Sequence, residues 1–180
     1  MRDSHGERPC LSRRDFLLAG GTAVTILGLG GLAEAVGPGA ALQMAAYPVR
    51  RIGRLSQLAP DQPVTFKYPW ADFNSTNMLI KLGVPAGGGI GPDRDVVAFS
   101  TLCTHMGGPL LGQYRGRYKV LGPCPFHLTT FDLTKHGMVA AGQATESLPQ
   151  VVLEARGDQI WATGVMGLIF GYHANLAQKA

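Results

Sequence analysis

Two short boxes, each pairing one cysteine with one histidine, constrain this chain more than any other feature of its sequence. The first box is C-T-H at residues 103–105, and the second is C-P-F-H at residues 124–127. Glycine and proline lie beside both boxes, at 107–109 and at 122–123, so each box is expected in a tight loop. A thiolate and an imidazole from each of two loops could hold a metal ion or a metal cluster from two sides. The fold must then bring the two loops together.

The composition excludes several classes of protein. The chain has 180 residues, of which 46% are hydrophobic and 16% charged, which is too apolar for a disordered charged chain. Its three cysteines cannot form the framework of a disulfide-stapled domain. The net charge is +4, but the basic residues are scattered, so nucleic acid is not an expected partner.

Three interpretations of the two boxes are open from the residues themselves. Two buried thiols beside two ordinary histidines are the plainest of them. A tetrahedral zinc site is the second, although zinc sites more often pair like with like, as C-x2–4-C followed by H-x3–5-H. One cysteine and one histidine in each box better suit a [2Fe–2S] cluster with two cysteines on one iron and two histidines on the other. The candidate ligands are Cys103, His105, Cys124 and His127.

Extended to residues 103–108 and 124–129, the boxes resemble the two cluster-binding boxes of the Rieske iron–sulfur family. The resemblance implies one [2Fe–2S] cluster. By that resemblance Cys103 and Cys124 hold the inner iron. His105 and His127 hold the outer, exposed iron.

The boxes also depart from the usual Rieske pattern at positions that tune the cluster. Many members carry a further cysteine in each box, joined in a disulfide, but Gly108 and Phe126 stand at those positions here. Loop rigidity is therefore expected from packing, of Phe126 and of the prolines beside the boxes. High-potential members place a Ser and a Tyr two and four residues after the last histidine, and both donate hydrogen bonds to sulfur. Thr129 can still donate such a bond, whereas Phe131 cannot.

A wider resemblance extends over most of the chain after the N-terminal segment. Residues 64–69, 81–92, 142–149 and 167–171 resemble the small subunit of arsenite oxidase. This implies a large partner subunit that holds a molybdopterin centre and a [3Fe–4S] cluster, where arsenite would be oxidised to arsenate. The chain would relay electrons from that partner to a soluble cytochrome c or azurin. It would hold no catalytic residue itself.

Two functions of other classes remain as alternatives. One is the Rieske subunit of a quinol-oxidising cytochrome bc-type complex, which would keep its N-terminal apolar run as an anchor. The other is a non-redox Cys2His2 zinc-binding module. Zinc is colourless and an oxidised [2Fe–2S] protein is red-brown, so colour separates the second from the rest.

The N-terminal residues have the pattern of an export signal. Arg13 and Arg14 precede an uncharged run over residues 16–33, and A-E-A at 33–35 is typical of a cleavage site. The adjacent arginines resemble a twin-arginine signal, which predicts a periplasmic protein, or a membrane-associated one if the segment is retained. The predicted divisions are a signal segment at 1–35, a linker at 36–47, a Rieske domain at 48–175 and a tail at 176–180.

The rest of the chain predicts an all-β fold, a small Rieske-type β-sandwich or barrel with two cluster-binding loops. Short alternating or apolar runs are bounded by Gly and Pro, and R-G-D at 156–158 predicts a hairpin turn. His136 is expected in a surface turn. Arg115, Arg117 and Lys119 form a basic stretch, either a solvated face or a surface that steers an acidic partner. The predicted strands lie at 62–68, 78–82, 96–99, 117–121, 151–155 and 159–163.

Overall fold

The computed structural model describes residues 45–176, which form strands joined by turns and one short 3-10 helix at Leu55–Gln57. Within that range there is no α-helix. The all-β prediction is therefore confirmed. The strands are β1 (Arg50–Arg54), β2 (Val64–Lys67), β3 (Thr76–Lys81), β4 (Val96–Ser100), β5 (Tyr114–Arg115), β6 (Val120–Leu121), β7 (Thr130–Asp132), β8 (Met138–Ala141), β9 (Gln150–Arg156) and β10 (Gln159–Met166).

The strands form two antiparallel sheets of unequal size. The large sheet has the order β1-β10-β9-β4-β3-β2, and the small sheet has the order β5-β6-β7-β8. In the chain, the whole small sheet is inserted between β4 and β9 of the large one. The two boxes lie in this insertion, before β5 and between β6 and β7.

The large sheet curls until its two edge strands approach each other. The Arg50 guanidinium on β1 donates to the Lys67 carbonyl of β2 at 3.1 Å and to the Pro69 carbonyl at 3.3 Å. Gly53 of β1 also lies against the Leu79 side chain of β3. These contacts make the sheet a nearly closed barrel around its own apolar core, whose buried members are Tyr68, Leu79, Val96, Ala98, Val151, Leu153, Ile160 and Ala162.

Strands β3 and β4 are buried on both faces, because they serve two cores. Leu79 and Ala98 are paired across the two strands and point into the barrel. Met78 and its partner Phe99 point the other way, toward the small sheet. This burial on both faces explains why the two strands read as continuous apolar runs. The second core contains Met78, Ile80, Leu82, Val97, Phe99, Leu110, Leu121, Phe131, Leu133, Leu148 and both box cysteines, Cys103 and Cys124.

Most of the predicted strands are confirmed, and one is wrong in most of its length. The hairpin at 156–158 joins β9 to β10, with Gly157 in the left-handed region at a φ of 59°. The strand predicted at 117–121 contains only Val120–Leu121. Residues 116–119 form the turn of the β5–β6 hairpin, where Lys119 has a φ of 56°. A strand of two residues is too short to show the alternation of apolar and polar residues by which strands are predicted.

Candidate metal centre

Both boxes fold into the same local structure. The Cys103 N–H donates to the Gly108 carbonyl at 2.9 Å, and the Cys103 carbonyl accepts from the Gly107 N–H at 2.8 Å. In the second box the Cys124 N–H donates to the Thr129 carbonyl at 2.8 Å, and the Cys124 carbonyl accepts from the Leu128 N–H at 2.9 Å. Each cysteine is thus held by the residues four and five positions after it.

The left-handed position in each loop is filled differently. Gly107 has a φ of 67°, which glycine adopts without steric cost. Its counterpart Leu128 has a φ of 61°, a conformation that costs a residue with a Cβ atom roughly 1–2 kcal/mol. The surrounding loop therefore imposes this conformation on Leu128. The sequence did not reveal it, because leucine carries no signal for a left-handed backbone.

The two cysteines lie together on the inner side of the loops. Cys103 and Cys124 are 1% and 2% exposed, and neither is in a disulfide. Burial raises the pKa of the Cys103 thiol, and the adjacent Cys124 thiol adds to this rise. Binding iron therefore requires the release of thiol protons from a buried pair.

The two histidines lie together on the outer side. The ring centroids of His105 and His127 are 4.7 Å apart and the ring planes meet at 80°. His127 is exposed and His105 is half-buried. The structure therefore brings the four sequence-predicted ligands together as a buried thiol pair and a solvent-facing imidazole pair.

The four candidate ligands form two pairs of different chemistry. Across residues 45–176, no three side chains of His, Cys, Asp or Glu converge closely enough to hold a single ion. A tetrahedral zinc site needs four donors at about 2.0–2.3 Å from one point. Two separate pairs, sulfur inside and nitrogen outside, instead fit the two irons of a [2Fe–2S] cluster. The residues present fit that group.

The two cluster-binding loops expose apolar side chains beside the histidines. Residues 96–114 and 120–131 contain no Asp, Glu, Lys or Arg. Met106, Phe126 and Leu128, which flank the histidines in sequence, are 58%, 56% and 67% exposed. Groups of exposed apolar side chains are common where one protein binds another.

The Phe126 side chain of the second loop packs against the first loop. A Cβ atom added to Gly108 would lie 3.1 Å from the Phe126 ring and 2.5 Å from the Cys124 sulfur. Gly108 and Phe126 are therefore direct neighbours across the two loops. The ring covers the glycine, and no side chain larger than hydrogen fits at Gly108 beside the sulfur of Cys124.

Thr129 and Phe131, the two positions expected to tune the cluster, differ in their ability to donate a hydrogen bond. Thr129 is fully buried, and its hydroxyl oxygen accepts from the backbone N–H groups of Gln143 at 3.2 Å and Ala144 at 3.3 Å. With its oxygen engaged, the hydroxyl keeps its proton to donate. Phe131 is fully buried in the core shared with the cysteines and has no polar atom to offer.

Other sequence-predicted residues have structural partners. His136 lies in an exposed turn, and its Nδ1 is 2.8 Å from Oε1 of Gln150, which in turn donates to the Gly87 carbonyl. Lys119 is not a free member of a basic stretch, because its ammonium contacts both carboxylate oxygens of Asp61 at 2.7 and 2.8 Å. The sequence missed Asp61, since no local pattern links it to residues so far along the chain.

Some predictions lie outside the described residues. These are the signal segment at 1–35 with Arg13 and Arg14, most of the linker and the end of the tail. Within residues 45–176 there is no helix of the length and apolarity needed to cross a membrane.

Comparison with known proteins agrees with this geometry. A protein-family model described as "Rieske [2Fe-2S] domain" matches residues 51–152. The chain is 60% identical over 176 residues to the iodate reductase subunit IdrB of Denitromonas iodatirespirans, covering 97% of this chain and 91% of that protein. It is 57% identical over 171 residues to the subunit of the same name from Pseudomonas sp. (strain SCT), covering 93% of this chain and 85% of that protein.

Among solved structures, the soluble domain of Rieske protein II from Sulfolobus acidocaldarius matches with a TM-score of 0.62 at 21% identity. That match covers 71% of this chain and 83% of the other, and it supports the fold alone. The family match spans more than half of the chain. The chain therefore belongs to the Rieske [2Fe-2S] family and carries one [2Fe–2S] cluster.

Proposed function

We propose that this chain is the electron-transfer subunit of an oxidoreductase of the iodate reductase type. In this role Cys103 and Cys124 bind the inner iron, and His105 and His127 bind the outer iron. The observation that carries the proposal is the separation of a buried thiol pair from a solvent-facing imidazole pair. The 60% identity to an iodate reductase subunit over nearly the whole chain supports the type of enzyme.

The chain's own residues determine where electrons can cross. When bound, the [2Fe–2S] cluster takes up and gives back one electron at a time. The buried cysteines keep its inner side away from water, while His105 and His127 present its outer side to a partner. The exposed apolar side chains of Met106, Phe126 and Leu128 would exclude water from that contact.

The substrate would be converted on a different subunit. Iodate is the substrate that the relatives' names supply, and electrons would then flow from a donor through this chain to the partner. By the arsenite oxidase resemblance, the partner would be a large subunit with molybdopterin and a [3Fe–4S] cluster.

Arsenite oxidase itself is the second candidate. Residues 81–92 and 142–149 favour it by their resemblance to its small subunit. Electrons would then flow in the opposite direction, from arsenite on the large subunit through this chain to cytochrome c or azurin. The same four ligands serve either direction. The quinol-oxidising alternative has weaker support, since a Streptomyces lividans cytochrome bc1 Rieske subunit aligns with only 35% of this chain.

The location of the protein belongs to the same proposal. Arg13 and Arg14 would direct the folded, cluster-loaded chain through the twin-arginine route to the periplasm. If the apolar run at 16–33 is retained after export, the protein would remain associated with the membrane.

One purification from the native host distinguishes these functions. The chain would carry a C-terminal tag, and the purified material would be assayed for iron and molybdenum and by electron paramagnetic resonance (EPR) spectroscopy. We expect a Rieske signal in the reduced protein, molybdenum in a co-purified large subunit, and reoxidation of the cluster by iodate. Reduction of the oxidised cluster by arsenite, without oxidation by iodate, would replace the iodate assignment with arsenite oxidase. A Rieske signal without molybdenum would contradict both.

A further inference from the structure

The segment after β10 forms a closed loop on the domain surface, and we call residues 167–175 the C-terminal strap. The Asn175 side chain closes it, since its Nδ2 donates to the Gly167 carbonyl at 2.7 Å and its Oδ1 accepts from the Ile169 N–H at 3.0 Å. The Tyr172 N–H also donates to the Ile169 carbonyl at 3.2 Å. The strap lies outside the part of the chain that matches the Rieske family, residues 51–152.

Several contacts fix the strap to the turn between β2 and β3. The Tyr172 ring packs on Trp70 with their centroids 4.7 Å apart. Burial and the adjacent Asp72 carboxylate both raise the pKa of the Tyr172 hydroxyl. Gly171 approaches so closely that a Cβ atom added there would lie 2.4 Å from Nδ2 of Asn74. The strap is therefore attached to residues 70–74 through Gly171 and Tyr172.

Phe170, the residue before Gly171, covers the first cluster-binding loop. A Cβ atom added to Gly107 would meet three carbons of the Phe170 ring at 2.3–2.8 Å, so the ring occupies the space that a side chain at Gly107 would need. The Gly107 N–H is the group that closes the loop onto the Cys103 carbonyl. Phe126 covers the next residue, Gly108, from the second loop. Two consecutive glycines of the first loop are thus each covered by an aromatic ring from another segment.

The two rings differ in how firmly they are held. Phe126 is 56% exposed and lies on the second cluster-binding loop. Phe170 is half-buried. Of its two neighbours in the chain, Ile169 is buried and Gly171 lies against Asn74. A glycine pair has more backbone freedom than any other dipeptide, so a fixed ring over it limits the ways in which the loop can open.

We propose that Phe170 is a positioning residue that holds the first cluster-binding loop closed, so that Cys103 and His105 keep their orientation toward the cluster. The proposal rests on the ligand assignment of the proposed function. Opening the loop requires the Gly107 N–H to leave the Cys103 carbonyl, and the Phe170 ring stands against that movement. The strap thus links the cluster site to the large sheet through residues that are not ligands.

Three variants of the native complex test this role. Phe170→Ala removes the ring, and Phe170→Leu restores most of its volume. Leu168→Ala is the matched control, because Leu168 is an exposed apolar residue of the same strap. The measurements are the rate at which an iron chelator removes the Rieske EPR signal, the width of that signal, and hydrogen exchange of the Gly107 and Gly108 amides.

We expect Phe170→Ala to lose the signal about tenfold faster than wild type, which corresponds to ~1.4 kcal/mol for loop opening. Its signal should broaden and the two glycine amides should exchange faster, while Phe170→Leu recovers most of both properties. Leu168→Ala should match wild type. Signal loss and line width unchanged within about twofold in Phe170→Ala would overturn the proposal, as would equal effects in Leu168→Ala. If wild type itself has no Rieske signal, the ligand assignment fails instead, and the two failures are distinguishable.

Discussion

The large and small sheets of this domain are stabilised in different ways. In the large sheet, β9 and β10 are seven and eight residues long, and the barrel has a core made by its own strands. In the small sheet, β5 and β6 are two residues each, and the buried residues join a core shared with β3 and β4. The large sheet can therefore be predicted from the sequence of its strands. The small sheet is stabilised by contacts that its loops make with other parts of the chain.

The difference explains why the metal site is in the small sheet. Strands alternate their side chains between two faces, and the four candidate ligands lie in loops instead. The two loops bring a thiol pair and an imidazole pair together with one repeated pattern of backbone hydrogen bonds around Cys103 and Cys124. That pattern needs left-handed residues at Gly107 and Leu128, and such positions are accepted where the surrounding contacts fix them.

The largest expected effect is loss of the cluster without unfolding of the barrel. Replacing Cys124 with Ala should abolish the Rieske EPR signal and the red-brown colour, because one of the two buried sulfur ligands is lost. The far-ultraviolet circular dichroism of the β-sheet should persist, because the barrel core contains no ligand. Cys10→Ala is the control, and it should retain full colour. A colourless protein that has also lost its β-sheet signal would show that the large sheet depends on the cluster.

A matched pair of core truncations should distinguish the two cores. Ile160 lies in the barrel core and Leu121 in the shared core, and both are fully buried. Each replacement by Ala should lower the free energy of unfolding by about 2–5 kcal/mol, which urea denaturation measures.

Only Leu121→Ala should also speed the loss of the cluster to a chelator, because Leu121 precedes the second loop directly. Ile160→Ala should keep the wild-type rate in conditions where it remains folded. Equal acceleration in both variants would mean that the two cores act as one.

The sequence predicted the large sheet better than the small one, for the same physical reason. Residues 96–99 and 151–155 carry strong apolar patterns, and both lie in strands. The four candidate ligands were also visible in the sequence as two boxes of one cysteine and one histidine, and the structure brings the two boxes together. The strand predicted at 117–121 was wrong over residues 117–119, because they belong to a hairpin turn that contacts Asp61 through Lys119. Phe170 and Asp61 were not visible either, because each acts on a segment far along the chain.

A smaller effect is expected at Thr129, which directly precedes β7 of the small sheet. Thr129→Val leaves the N–H groups of Gln143 and Ala144 without their acceptor, which should cost about 1–3 kcal/mol of stability. It also removes a hydroxyl proton able to bond to sulfur and favour the reduced cluster. A loss of ~1.4 kcal/mol there would lower the midpoint potential by about 59 mV for one electron.

Thr129→Ser is the matched control for this change, since it keeps the hydroxyl and removes only a methyl group. A redox titration followed by visible spectroscopy should place the serine variant near wild type and the valine variant below it. Equal potentials for Val and Ser would show that the hydroxyl serves only the backbone of residues 143–144.

The smallest expected effect concerns the ionic link between the two sheets. Asp61, fixed by its N–H to the Lys81 carbonyl of β3, accepts from the Tyr114 hydroxyl at 2.6 Å and from the Lys119 ammonium of the β5–β6 hairpin. The bond from Lys119, followed by that from Tyr114, lowers the pKa of the Asp61 carboxyl. The carboxylate is partly exposed, so Asp61→Asn should cost only about 0.5 kcal/mol at pH 7.

The pH dependence of that difference shows whether charge holds the hairpin to the barrel. Because the pKa of Asp61 is lower in the folded protein, its stabilisation is complete above the ordinary Asp pKa of about 3.9 and is lost as the pH falls through the folded value. Thermal unfolding should therefore separate wild type from Asp61→Asn at pH 7, and the gap should close at low pH and shrink in high salt. If the difference in thermal stability between wild type and Asp61→Asn persists at low pH, the hydrogen bonds of Asp61 hold the hairpin and its charge does not. Asn retains those hydrogen bonds only in part. The small sheet would then be held to the large one by hydrogen bonds and packing, without a contribution from the charge of Asp61.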